Sequence, residues 1–538
     1  MRIALAQIDS TVADFDGNRA RVLEAYRRAS IEGADLVVTP ELVLCGYPPL
    51  DLLERTDFVL ASEASLRVLA SSIDGPPLIV GGIRCDRSSA PPLRNTAFLL
   101  QGSTIVAHHD KRLLPTYDVF DEGRYFAPGS ESTVWEIGGV RVGVAICEEL
   151  WDPDHRLYTI DPVVDLRALG VDLVVCPSAS PYHAGKQAFR RGLFTRQAER
   201  LGAPIVVVNQ VGANTELIFD GGSQVVTTKG VVRELPMFEE ALELIDPLLA
   251  WGATTVESSE AAEADEVAAA LVLGIRGYFG KCGIPSAWVG LSGGIDSALV
   301  AALAADALGP ENVHGVAMPS RYSSQGSLDD AQLLAETLGI HYSVIPMEPA
   351  HAGLRSAIEV GHGAPPSGLA DENLQARIRG TLLMTLSNQH GGAVLATGNK
   401  SEIGVGYCTL YGDMCGALAP IGDVTKGGVY RLARGERYAS RIPESTMVKP
   451  PSAELRPDQL DTDSLPDYEV LDPVLTGFIE ERKGVEELVA EGHARAVVEP
   501  VVGRILFHEY KRAQAAPILR VSPCAFGIGR RVPLARGR

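Results

Sequence analysis

Two series of short apolar runs, each broken by helical patterns, restrict this chain to layered α/β architecture. The first series reads "RIALAQI", "ADLVVTP", "PLIVGGI", "NTAFLL", "VRVGVAI", "VDLVVCPSA" and "APIVVVNQ". Several of these runs are continuously apolar, the pattern of strands covered on both faces. Between them lie stretches such as "NRARVLEAYRRASIEG", a helical pattern closed by glycine. The second series reads "AWVGLSGG", "VHGVAMP", "HYSVIPM" and "GAVLATGN", each followed by a helical stretch. Strand alternating with helix predicts a parallel, doubly wound sheet. Trp251 to Glu266 is small, polar and acidic, and reads as a linker running into the helix "VAAALVLGIRGYFGKCG". The expected organisation is therefore a domain over 1–248, a linker over 249–265 and a domain over 266–538. The Pro- and acid-rich "KPPSAELRPDQLDTDSLPDY" reads as a long ordered loop or lid.

Charge excludes some partners. The 538 residues carry a net charge of −20, which argues against an electrostatic grip on nucleic acid or an anionic membrane. A small anion in a local pocket stays compatible. No run approaches the roughly 18 apolar residues of a membrane helix. "MRIALAQIDS" is too short for a secretion signal. Eight cysteines without a C-x-x-C pair fit neither a disulfide scaffold nor a zinc site, and a reducing cytoplasm is expected.

Three residues of the first half sit just after strand patterns: Glu41, Lys111 and Cys147. Strand ends of layered α/β folds present side chains to a shared cleft. A thiol, a carboxylate and an ammonium together can open an amide: the sulfur attacks, the carboxylate moves the proton, and the ammonium holds the oxyanion. Taken alone, a cysteine after an apolar strand is more often a buried small hydrophobe.

The motifs shift that balance. "TPELVLCGYPPLDLL", "HDKRLLPTYDVFDEGRYF", "GVAICEELWD" and "CPSASPYHAGK" resemble the glutaminase branch of the nitrilase, or carbon–nitrogen hydrolase, family. The resemblance implies an αββα sandwich and a triad at Glu41, Lys111 and Cys147. It implies a supporting second glutamate at Glu148, and glutamine held near Tyr117, Ser180 and Lys186. "VGANTEL" (211–217) departs from the family's pattern at Ala213, Asn214 and Thr215.

In the second half, "VGLSGGIDSALVAALAADALG" reads as strand, Gly-rich turn and helix ending at Gly309. Leu291, Ser292, Gly293, Gly294 and Ser297 would gather backbone N–H groups and hydroxyls at a helix N-terminus, an anion site. Gly-Lys-Ser/Thr is missing, so this is not the kinase-type phosphate loop. Asp296 beside phosphate implies an intervening Mg²⁺; the bland alternative is a tight turn with a capping aspartate. The string resembles the pyrophosphatase loop of ATP-dependent adenylating enzymes. "ENLQARIRG", "LATGNKSEIGVGYCTLYGDMCGALAPIGDV", "KPPSAELRPDQLDTDSLPDYEVLD" and "HEYKRAQAAP" resemble NAD synthetases. That resemblance implies a Rossmann-like domain, with Thr397 and Lys426 on ATP and Glu402 sharing Mg²⁺ with Asp296. It places Asn373, Arg377, Glu402, Asp413 and Lys511 on deamido-NAD⁺. Gly427 and Gly428 depart from it. Leu410 stands where ammonia-only versions tend to carry Lys, as glutamine-using versions show.

Together the halves imply an enzyme that frees ammonia from glutamine and spends it on an adenylated carboxylate. An enclosed passage for ammonia and a homo-oligomer follow by resemblance only. A different adenylated acceptor, or a first domain that only binds, stays open at this level.

Overall fold

A computed structural model describes residues 1–154, 156–249 and 260–537. The chain divides into two compact units, Met1–Glu257 and Ser258–Arg538. Of the expected linker, residues 250–259 lie outside the described residues. From Glu260 the chain is already in the helix Glu260–Cys282.

Among its described residues the first unit holds fourteen strands: β1 Ile3–Gln7, β2 Leu36–Val38, β3 Leu78–Cys85, β4 Leu93–Gln101, β5 Thr104–Asp110, β6 Thr133–Ile137, β7 Val140–Val144, β8 Leu173–Ser178, β9 Ile205–Asn209, β10 Val211–Asn214, β11 Leu217–Asp220, β12 Gln224–Thr227, β13 Gly230–Glu234 and β14 Ala241–Ile245. Two six-stranded sheets form, ordered β14-β1-β2-β3-β4-β5 and β13-β12-β9-β8-β7-β6, beside a β10–β11 hairpin. Successive side chains of a strand point to opposite faces, so each apolar strand feeds two cores. Ile3, Leu5, Val38, Val144, Val175 and Val206 meet between the sheets. Ala4, Ala6 and Val37 instead pack under the helices Phe15–Ile31 and Thr56–Ala70. Val174, Cys176 and Val207 do the same under Pro162–Leu169 and Lys186–Leu201. This is the expected αββα sandwich, and it explains why the central strands read as apolar throughout.

The second unit is built on four parallel strands, β15 Ala287–Gly290, β16 Val313–Ala317, β17 His341–Val344 and β18 Ala393–Leu395, in the order β17-β16-β15-β18. The order reverses at β15, the point where doubly wound sheets bind ligands. The helix Ile295–Leu308 follows β15 and ends at Gly309, as its sequence implies. Among the described residues, no helix is long and apolar enough to cross a membrane.

Candidate active sites

Glu41 and Lys111 leave the ends of β2 and β5 in one sheet; Cys147 leaves β7 in the other. Gly81 on β3 makes room for the Glu41 turn: a Cβ there would come within 2.4 Å of the Leu42 nitrogen. Lys111 Nζ donates to Glu41 Oε1 at 2.6 Å and to Glu122 Oε1 at 2.8 Å. Asn95 Nδ2 donates to Glu41 Oε1 at 2.7 Å, and the Ala179 N–H donates to Glu41 Oε2 at 3.1 Å. Cys147 starts the short turn Cys147–Leu150 at φ +41°. A positive φ is costly for any side chain larger than glycine and persists where the surroundings enforce it. Ser178 Oγ donates to Cys147 Sγ at 3.3 Å.

Burial, then the Glu41 charge, pushes the Cys147 thiol up to about 12 against the pull of Lys111. The sulfur therefore rests as a thiol. Burial also disfavours the Lys111 ammonium, yet Glu122 and Glu41 outweigh it and raise its pKa.

Glu122 is the residue sequence reasoning missed. It is buried, lies in the short helix Glu122–Tyr125, grips Lys111 and accepts from the Tyr47 hydroxyl at 2.9 Å. Of the two glutamates, Glu122 is the one in contact with Lys111. Glu148 instead accepts from the hydroxyls of Tyr117 at 2.9 Å and Tyr158 at 3.0 Å. Burial pushes the Glu148 carboxyl up to about 7. Ser180 lies two residues past Ser178, its N–H bonded to Asn209 Oδ1 at 2.9 Å. Lys186 Nζ donates to the Pro181 carbonyl at 2.5 Å and sits 5.0 Å above the Trp151 ring. The departing segment 211–217 is the β10–β11 hairpin; Asn214 Nδ2 donates to the Tyr47 carbonyl at 2.7 Å, so it buttresses the residue that holds Glu122.

In the second unit, the loop after β15 opens into a cleft of about 290 Å³. Leu291, Ser292, Gly294, Asp296, Ser297 and Thr397 line it, with Glu402, Asp413 and Lys426. Gly293 has φ +76°, and a Cβ there would lie 2.3 Å from the Ser327 carbonyl oxygen. Ser297 Oγ donates to the Gly294 carbonyl at 3.0 Å, tying the loop to the helix. Asp296 does not cap the helix. Its Oδ1 accepts from Asn399 Nδ2 at 2.9 Å and its Oδ2 lies 2.5 Å from Lys426 Nζ. Glu402 Oε1 is 3.3 Å from the same ammonium. Burial pushes the Glu402 carboxyl up to about 8. Lys426 opens the helix Lys426–Arg434, which forms with Gly427 and Gly428 in its first turn; the Gly427 N–H donates to Asp472 Oδ2 at 2.8 Å. Two further residues fix this region: Asn399, and the fully buried Lys400, paired with Asp423 at 2.9 Å and Glu480 at 2.6 Å.

The dinucleotide candidates gather around the loop 406–413. Asn373 Oδ1 accepts from Thr409 Oγ1 at 2.8 Å, and Asp413 Oδ1 accepts from the Thr409 N–H at 2.6 Å. Arg377 Nε donates to the Leu410 carbonyl at 3.2 Å, and Lys511 Nζ to the Cys408 carbonyl at 2.7 Å.

Residues 2–245 match the carbon-nitrogen hydrolase family and residues 267–515 match the NAD synthase family. Over 99% of its length the chain is 46% identical to the glutamine-dependent NAD(+) synthetase of Synechocystis, of which it covers 98%. The chain belongs to the glutamine-dependent NAD(+) synthetases. The Thermotoga maritima member of this synthetase family is 41% identical over 99% of the chain, with 98% of that protein covered. The solved Acinetobacter baumannii glutamine-dependent NAD⁺ synthetase, in complex with ADP, superposes with a TM-score of 0.78 at 36% identity, covering 99% of this chain and 98% of that one. The Cytophaga hutchinsonii synthetase shares the fold, with a TM-score of 0.85 at 21% identity and coverage of 100% and 98%.

Proposed function

We propose that this glutamine-dependent NAD(+) synthetase, an ATP-dependent C–N ligase, releases ammonia from glutamine at Cys147 and uses it at the cleft beside Asp296 to amidate deamido-NAD⁺. The observation that carries the reading is the buried Glu41–Lys111–Glu122 cluster beside Cys147. Cys147 Sγ attacks the glutamine carboxamide carbon while Glu41 takes the thiol proton. Lys111, held charged by two carboxylates, stabilises the oxyanion. Glu41 returns the proton as the C–N bond breaks and ammonia leaves. Glu41 then draws a proton from water, whose oxygen adds to the thioester carbon, and passes that proton to the Cys147 sulfur as the C–S bond breaks and glutamate leaves. Glu148, a buried carboxylate held by two tyrosine hydroxyls, suits the α-ammonium of glutamine; Tyr117, Ser180 and Lys186 complete that reading.

In the second cleft the nicotinate carboxylate attacks the α-phosphorus of ATP, and pyrophosphate leaves toward the loop 292–297. Ammonia then attacks the acyl carbon, and AMP departs. Asn373, Arg377, Asp413 and Lys511 would position the dinucleotide around the loop 406–413. Asp296 and Glu402 are hard oxygen donors that already share one cation, Lys426 Nζ, which fits them to Mg²⁺. Among the described residues no cluster of three or more metal-ligating side chains is present, so phosphate and water would supply the other ligands. Bound there, Mg²⁺ would neutralise the departing pyrophosphate.

Cys147→Ala tests the assignment: NAD⁺ formation from glutamine should vanish while formation from added ammonium persists. Retained glutamine-driven synthesis would end the nucleophile assignment.

A further inference from the structure

We propose that Arg379 is an anion-binding residue of the nucleotide cleft, its guanidinium gripping a phosphate of the bound nucleotide. The helix Leu369–His390 carries two arginines two residues apart, and they serve different places. Arg377 reaches the Leu410 carbonyl of the loop 406–413. Arg379 lines the cleft, with its Nε donating to the Met318 carbonyl at 3.1 Å, just past the end of β16.

Three cations line this cleft: Arg379, Lys426 and Lys449. Lys426 is held by Asp296 and Glu402, and Lys449 pairs with Asp330 at 2.8 Å. Among the described residues Arg379 has no such partner: no carboxylate stands within ion-pair distance, and Glu454 and Asp413 act on it only at longer range. A guanidinium has five N–H donors. Supporting the Met318 carbonyl occupies one and leaves the planar fork of the other two nitrogens unengaged. A partly buried cation without a counter-charge is costly, and desolvation pulls the Arg379 pKa below its ordinary value. A bound anion removes that cost. The fork matches two oxygens of one phosphate, a geometry that lysine cannot reproduce.

This rests on the reading of the cleft as an ATP site. The test is calorimetric titration of the whole protein with ADP, inorganic pyrophosphate and adenosine, for wild type, Arg379→Gln and Arg379→Lys. Arg379→Gln should weaken ADP roughly 10- to 100-fold, the scale of a lost charge-assisted hydrogen bond, and leave adenosine unchanged. Arg379→Lys should fall between. Unchanged adenosine binding also reports an intact cleft. Equal losses for adenosine and ADP would overturn the assignment, placing the guanidinium on the base or in the scaffold. Wild-type binding with an unaltered variant would overturn it alone. A wild type that binds none of the three would remove the ATP reading and this assignment with it.

Discussion

A thiol pushed up to about 12 cannot rely on a standing thiolate, so on the proposed assignment the acid–base partner decides whether Cys147 reacts. Lys111 is central to that partner's charge, and Glu122 holds the far side of Lys111. Glu122→Gln keeps the shape but removes one of two negative charges from a buried ammonium. Glutamine-driven synthesis should fall by roughly 10²-fold or more, the scale of a lost electrostatic partner, with ammonium-driven synthesis intact; initial rates from the two nitrogen sources check this. Glu148 carries a pH prediction. Its carboxyl, raised to about 7 by burial, is ionised above that value and neutral below it. An attraction for the glutamine ammonium is therefore present above pH 7 and lost as pH falls through it. The glutamine KM should rise between pH 8 and pH 6, and Glu148→Gln should flatten that profile. The clustering of Glu41, Lys111 and Cys147 was legible because each follows a strand pattern and sits in a distinctive motif. Glu122 sits in the same motif as Lys111, but only tertiary folding brings a carboxylate from a one-turn helix back onto that lysine. Local pattern carries no trace of such a return.

At the level of elements, the Gly-rich turn after β15 was legible because glycine there answers a steric demand. Gly293 combines a left-handed φ with the Ser327 backbone pressed against it. Gly293→Ala should cost more than about 10²-fold in synthesis from either nitrogen source, as a 1 Å misplacement does. Glutamine hydrolysis, measured as glutamate release, should survive. The long apolar strands were equally readable, since burial on both faces removes polar residues from them. The short strands β10 to β14 were not. They are only four or five residues long, and β10 and β12 include polar Asn214 and Gln224, whose burial is set by neighbouring segments. The phosphate-loop aspartate shows the same limit: sequence allowed a helix cap or a ligand-facing carboxylate, and only the positions of Asn399 and Lys426 separate them.

For the whole molecule, two family domains share one chain, and we propose that ammonia made by one reaches the other without becoming ammonium in bulk water. Mixing Cys147→Ala with Asp296→Asn supplies an intact synthetase and an intact glutaminase on different chains. With glutamine at neutral pH the mixture should make NAD⁺ far more slowly than wild type, and the gap should narrow as pH rises; wild-type rates at neutral pH would mean ammonia travels freely. The first active site has a different kind of dependence. Glu41 and Lys111 follow strands of one sheet, Cys147 and Ser178 belong to the other, and their separation is set by the apolar layer between the sheets together with bonds that cross it, such as Ala179 N–H to Glu41 and His109 to Glu149. On the proposed assignment, glutamine hydrolysis is therefore a gauge of alignment between two slabs. Pressure or a cavity that lets them slide would silence the thiol while every strand kept its hydrogen bonds.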